Sequence, residues 1–184
     1  MTLIVVIVIL VALLGYGVFL YNKFVKLVFR VEEAWSGIDV QLKRRHDLVP
    51  SLVEVVKGYA EHEQETLKEV VRLRGEMQNT KESGEREGGE KELSRDIGKL
   101  FALAESYPDL KANKNYQDLQ ANLTDIEDDL QYARRYYNGT VRDFNVLVLS
   151  FPSNLIAGLV AYKQKPFFEV EYVTERKNPD VDFS

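Results

Sequence analysis

Cysteine is absent from this chain, and histidine occurs only at His46 and His62. Without cysteine there is no disulfide, no thiol nucleophile, no thiolate metal site and no lipid anchor on sulfur. Positive charge is also in deficit: 24 Lys and Arg stand against 29 Asp and Glu, a net charge of -5. No global basic field is available to hold nucleic acid, so no nucleic-acid partner is expected. Proline is scarce, and only Pro50 interrupts a long periodic stretch. No glycine-rich loop follows a strand pattern to cradle a phosphate; Gly84, Gly88 and Gly89 lie in a charged stretch instead. A nucleophilic serine would need a strained elbow or a glycine-rich oxyanion loop, and neither is written here. The apolar share of 45% is ordinary for a folded protein of 184 residues, enough for one modest domain with a core.

What is present begins at the N-terminus. Residues 2–21, TLIVVIVILVALLGYGVFLY, carry no charge. As a helix rising about 1.5 Å per residue they reach roughly 30 Å, the thickness of a bilayer's hydrocarbon core. A cleaved signal peptide would want a basic leader and a small-residue cleavage site, and neither appears. Residues 1–22 are therefore expected to be an uncleaved transmembrane anchor. Lys23, Lys26 and Arg30 flank its C-terminal side only. The positive-inside rule then places the N-terminus outside and the bulk of the chain in the cytoplasm at the cell membrane.

Helical periodicity continues without a turn signal through Leu27, Val31, Ala34, Trp35, Ile38, Leu42, Val49, Leu52, Val56 and Ala60, the i, i+3, i+4 pattern of an amphipathic helix. Pro50 removes one backbone donor, and with no glycine or asparagine beside it a kink is expected rather than a turn. The polar, glycine-containing stretch 79–92 reads as a charged loop. A shorter helix follows over Leu93, Ile97, Leu100 and Phe101, stopping before Pro108. A long one then starts near Asn115, the expected cap, with Tyr116, Leu119, Leu123, Ile126, Leu130, Ala133, Tyr137, Val141, Phe144 and Val148 on one face. Asn122 and Asn138 match the glycosylation pattern but fall on this helix and read as chance. The expected fold is all-α: an N-terminal transmembrane helix continuing into an elongated antiparallel bundle of long helices over 23–165, then an extended tail, 166–184.

Two groups could carry function. The first is Arg44, Arg45, His46, Asp47 and Pro50, inside the apolar stripe. Lys43 and Arg44 precede Asp47 by four and three residues, a spacing for local ion pairs. Arg45 falls in the gap between Leu42 and Val49, so it must point near the core, where it can pair with a carboxylate from another helix. A pinned polar layer that sets helix register is the primary reading, with partner docking second. The second group is the apolar run at 154–162, with Leu155, Ile156, Leu159, Val160 and Tyr162. It is too short to span a bilayer. A helix buried in the bundle is its simplest reading; an oligomer contact or a surface lying on lipid is the alternative. Metal binding by helical bundles uses paired Glu-x-x-His motifs. His62 offers only a lone His-x-x-Glu with Glu65, so no metal or other cofactor is expected, and a hydrolase using His62 is the weakest of the alternatives. The acids of DIEDD, residues 125–129, read as a solvated face balanced by Arg134 and Arg135.

Trp35, QLKRRHDLVPSLVEVVKGYAEHE (41–63), YPDLKANKNYQDLQANL (107–123), RRYYNGTVRDFN (134–145), Phe151-Pro152 and FFE (167–169) together resemble the LemA family of membrane-anchored prokaryotic proteins. The resemblance covers nearly the whole chain. It implies one N-terminal membrane helix, a bundle of long helices and no established enzymatic activity. Family members are often encoded near membrane metalloproteases and other envelope proteins. The expected role is thus a non-enzymatic scaffold that forms a homo-oligomer and recruits membrane proteins such as proteases. The alternative is a membrane-surface sensor or remodelling protein touching the lipid bilayer through residues 154–162.

Overall fold

The computed structural model describes residues 1–60, 64–79 and 83–168. Among them are six helices and no strand, so the fold is all-α: α1 Thr2–Lys57, α2 Gln64–Asn79, α3 Ser83–Ala104, α4 Pro108–Ala112, α5 Lys114–Leu149 and α6 Ser153–Val160. His62 and all of the tail beyond Phe168 lie outside the described residues.

Helix α1 is a single run of 56 residues. Its apolar start passes into the amphipathic part without a break, and the chain does not reverse at Pro50. Over its most apolar window the mean hydropathy is 3.1, and only 6% of that window is buried. The helix is thus long and apolar enough to cross a membrane, and it presents that stretch outward.

The chain divides into two compact units, to which α1 and α5 both contribute. Unit 2, Gly37–Tyr132, has a core drawn from every helix in it: Val49, Leu52 and Val56 of α1, Val70 and Leu73 of α2, Leu93 and Leu100 of α3, Leu110 of α4 and Tyr116 of α5. Stripes at three- and four-residue spacing make this possible, because such residues line one side of each helix. At Gly89, α3 lies close under a side chain of α2: a Cβ there would stand 2.0 Å from Met77 Sδ. Asn113, not Asn115, caps α5. Its Oδ1 accepts from the Tyr116 amide at 3.1 Å while its Nδ2 donates to Tyr59 Oη at 3.0 Å.

The stretch expected as a charged loop is helical from Ser83 onward. Composition misled here because the buried stripe of α3 runs further toward the N-terminus than its apolar residues do. Counting back from Leu100, Ile97 and Leu93, the next inward position is Glu90, and it is buried.

Unit 1 comprises Met1–Ser36 and Ala133–Ser184. Its core is aromatic. Phe24 stacks on Tyr162 with ring centroids 5.1 Å apart and meets Phe144 edge-on at 6.1 Å. Trp35 lies 5.3 Å from Tyr137 and 6.2 Å from Phe168. Leu147 rather than Val148 completes the buried face of α5. Past a cis Phe151-Pro152 bond, α6 leaves α5 at 96° and ends at Ala161, whose φ is 59°.

The chain then runs back along α5 without helix or strand, held by two asparagines. Asn145 Oδ1 accepts from the Lys165 amide at 2.8 Å and its Nδ2 donates to the Lys165 carbonyl at 2.9 Å. Asn138 makes the same pair of bonds with Phe168, at 2.8 and 2.9 Å. The spacing explains itself. Seven residues of helix advance about 10.5 Å, and three residues of extended chain advance about 10 Å, so two amides on one helix face meet two backbone groups in register. Replacing Asn138 by Ala strips Phe168 of both partners. We expect a loss of about 1–3 kcal/mol, read as faster hydrogen exchange at the Phe168 amide with the Lys165 amide less affected.

Candidate functional site

Along one face of α1 the buried residues Leu27, Val31, Ala34, Ile38, Leu42, Arg45, Val49, Leu52 and Val56 follow one another. Arg45 therefore occupies a core position, with its side chain 2% exposed. A guanidinium in that place must have its donors met, since an unpaired buried charge is costly. Two helices bring oxygen atoms to its terminal nitrogens, while Nε has no hydrogen-bond partner among the described residues. Nη1 donates to Ser94 Oγ of α3 at 2.5 Å and to Glu127 Oε2 of α5 at 3.1 Å. Nη2 donates to Glu90 Oε2 of α3 and, at 3.4 Å, to the Glu90 carbonyl.

His46 closes the other side. Its Nε2 stands 2.9 Å from Glu90 Oε1, near enough for an ion pair although outside hydrogen-bond angles. Burial alone pushes the Glu90 carboxyl up, but His46 and then Arg45 outweigh it and hold the group below its ordinary value. An acid with a lowered folded value adds stability above its unfolded value of 4.5, and that contribution is lost as pH falls through the lowered one.

The layer also accounts for Pro50. A proline has no N–H to give to the carbonyl four residues earlier, which here belongs to His46. Arg74 Nε of α2 donates to that carbonyl at 2.9 Å instead. Thus the side chain of His46 faces α3 while its main-chain oxygen is bonded by α2, and α1 continues through the proline.

Of the five residues singled out in the sequence, Arg45 and His46 are buried, whereas Arg44, Asp47 and Pro50 are exposed. The expected pairing of Lys43 and Arg44 with Asp47 does not form among the described residues. Arg44 turns to Gln41 at 3.0 Å and to Asp129 at 3.5 Å. The acids of DIEDD are likewise not simply solvated: Glu127 bonds Arg45 and Asp129 meets Arg44. Sequence reasoning missed Glu90, Ser94, Arg74 and Glu127. Only Glu90 left a trace, its place three residues before Leu93 in the stripe.

The second group behaves differently from its simplest reading. Helix α6 is not a buried bundle helix: only Ser153 and Ala157 face inward. Leu155 is 63% and Leu159 86% exposed, Val160 is exposed and Ile156 half-buried. Tyr162 is not part of a free surface, because its ring packs on Phe24 and Phe144. The corner before α6 is fixed by Ser153 Oγ, which donates within reach of the Leu147 and Ser150 carbonyls, at 2.6 and 2.9 Å.

The all-α architecture, the long apolar-to-amphipathic α1 and the layer built on KRRHDLVP define a class of helical protein with a membrane-type N-terminus. The LemA family matches residues 34–183, and the chain belongs to that family. Among relatives, it is 27% identical to Protein LemA of Metamycoplasma hominis over 167 residues, covering 89% of this chain and 74% of the relative. It is 24% identical to magnetosome protein MamQ of Magnetospirillum gryphiswaldense over 174 residues, and 23% identical to MamQ 2 of Paramagnetospirillum magneticum over 175. The chain spans 64% of the length of these two MamQ proteins.

Two expectations follow from the layer. Arg45→Ala strands Glu90 in the core and costs about 3–5 kcal/mol, whereas Asp47→Ala changes stability by no more than about 0.5 kcal/mol; chemical denaturation of both variants checks the contrast. Pro50→Ala returns an N–H to the His46 carbonyl, so Arg74→Met costs about 1 kcal/mol in the native background and much less beside Pro50→Ala. Equal losses in the two backgrounds would show that Arg74 and Pro50 are uncoupled.

Proposed function

We propose that this chain is a membrane-anchored, non-catalytic scaffold. In this reading α1 crosses the bilayer once, with the N-terminus outside and the bulk of the chain in the cytoplasm at the cell membrane. The helical units associate with further copies of the chain and hold other membrane proteins, such as envelope proteases. The observation that carries the reading is the closure of the Arg45 layer. Its side chains are 2%, 5% and 1% exposed at Arg45, His46 and Glu90, and the guanidinium's bonds go to Glu90, Ser94 and Glu127. Such a cluster fixes the register of α1, α3 and α5 and offers no face to a substrate. The names of the relatives specify no reaction.

The outer surface suits assembly. Phe29 and Tyr136 of unit 1 are exposed by 65% and 53%, and Tyr132 and Val40 of unit 2 by 66% and 53%. Aromatic side chains left in water are the residues from which protein contacts are most often built. A second reading is favoured at one place only: α6 turns Leu155 and Leu159 outward, where a membrane-surface element would seat them in lipid.

Size measurement of the full chain extracted in mild detergent tests the scaffold. A particle of several copies is expected, with Phe29→Ser and Tyr132→Ser shifting it toward smaller species. A strictly monomeric native chain at cellular concentration would overturn self-assembly.

A further inference from the structure

Within unit 1 a groove of about 550 Å³ lies between α1 and the α5–α6 corner, lined by Tyr16, Lys23 and Arg30 on one side and by Asp143 and Phe151 on the other. We propose that this groove is a binding site for an acidic phospholipid, with its phosphate at Lys23 and Arg30 and its acyl chains along α1 and the outward face of α6. The inference rests on the reading of α1 as a membrane span and of α6 as an element seated in lipid.

Height along α1 comes first. If residues 2–21 fill the hydrocarbon core, Lys23 stands at the headgroup level, about 3 Å beyond it, and Arg30 about 10 Å further on. Helical side chains tilt toward the N-terminus of their helix, which for α1 means toward the bilayer. The long Arg30 side chain can therefore reach back to the level at which Lys23 sits. Seven residues apart, the two lie on one face, and that face lines the groove.

Charge comes second. Lys23 and Arg30 are exposed and make no ion pair among the described residues. Asp143 is the one carboxylate in the lining, and its Oδ1 lies 3.5 Å from Arg142 Nη2 beside it. Two cations, against one acid that already has a neighbour, leave a positive site. A zwitterionic headgroup brings its own cation, whereas an acidic one brings a net negative charge.

Apolar continuity comes third. Phe151, in the lining, is 81% exposed, and Leu155 and Leu159 beyond it are 63% and 86% exposed. These side chains sit in the same unit as the exposed apolar start of α1, from Leu3 to Phe19. A groove with basic groups at its polar end and a greasy rim facing the membrane span matches one occupant, an amphiphile with a phosphate head. The layout is that of a juxtamembrane site for acidic lipid.

The test uses the full chain in micelles holding equal amounts of phosphatidylglycerol and phosphatidylcholine with identical acyl chains. Native mass spectrometry then counts the lipid retained. The native chain is expected to keep phosphatidylglycerol in preference. Lys23→Gln with Arg30→Gln should weaken that retention roughly 30-fold, from about 1 kcal/mol for each basic side chain. Lys57→Gln with Lys68→Gln, the same charge change on unit 2, should leave it intact. Equal retention of the two lipids by the native chain, or a preference that survives loss of Lys23 and Arg30, overturns the site. So does displacement of the lipid by millimolar inorganic phosphate, which would mark a site for the free ion. Because the chain has no cysteine, Leu159→Cys gives a single attachment point for an environment-sensitive dye. In neutral phosphatidylcholine vesicles its emission should shift to the blue. A shifted dye with no acidic preference removes the groove assignment alone; an unshifted dye removes the lipid reading of α6 and the site with it.

Discussion

A guanidinium in a row of leucines and valines is the constraint on which unit 2 depends. Arg45 occupies a position that helical geometry assigns to the core, and a charge there is tolerable only if other helices bring oxygen atoms to it. Each contact thereby fixes a relationship between elements: Glu90 and Ser94 set α3 against α1, Glu127 sets α5, and Arg74 ties α2 to the main chain at His46. Apolar contacts alone would let one helix slide past another by a turn at small cost. The charged layer does not, since a shift of one turn would separate every donor from its acceptor.

Pro50 belongs to the same arrangement. In isolation it predicts a disturbed helix, yet α1 is continuous from Thr2 to Lys57. The helix loses one internal bond, and the freed carbonyl of His46 becomes an acceptor on its surface. A neighbouring arginine takes it. A sequence feature that weakens one element thus supplies a contact between two.

How much of this could be read from the sequence depended on whether the signal was periodic or relational. The apolar start of α1, its continuation into an amphipathic stripe, the long α5 and the inward turn of Arg45 all follow from spacing along one helix, and all were legible. The expected loop at 79–92 was not legible as helix, because its composition is that of solvated chain while one of its acids, Glu90, serves a buried arginine from far away in sequence. The exposed state of α6 was hidden for a similar reason: nothing within a run of apolar residues tells whether protein or something else will cover it. Asn138 looked like a chance glycosylation match, and only the returning segment reveals what its amide does. The cap of α5 was misplaced by two residues because both Asn113 and Asn115 could serve, and Tyr59 favours the first.

The paired asparagines of α5 divide the freedom to drift unequally between the two strands of chain they join. A carboxamide is a peptide group carried on a side chain, so what it grips at Lys165 and Phe168 is main chain, identical for almost any residue. Substitutions at the outward positions Lys163, Gln164 and Phe167 leave both clasps closed, while the helix can change neither Asn138 nor Asn145 without opening one. Random substitution should therefore erode those outward positions quickly in composition and the path of the segment hardly at all, with the spacing of its two holders as the fixed measure.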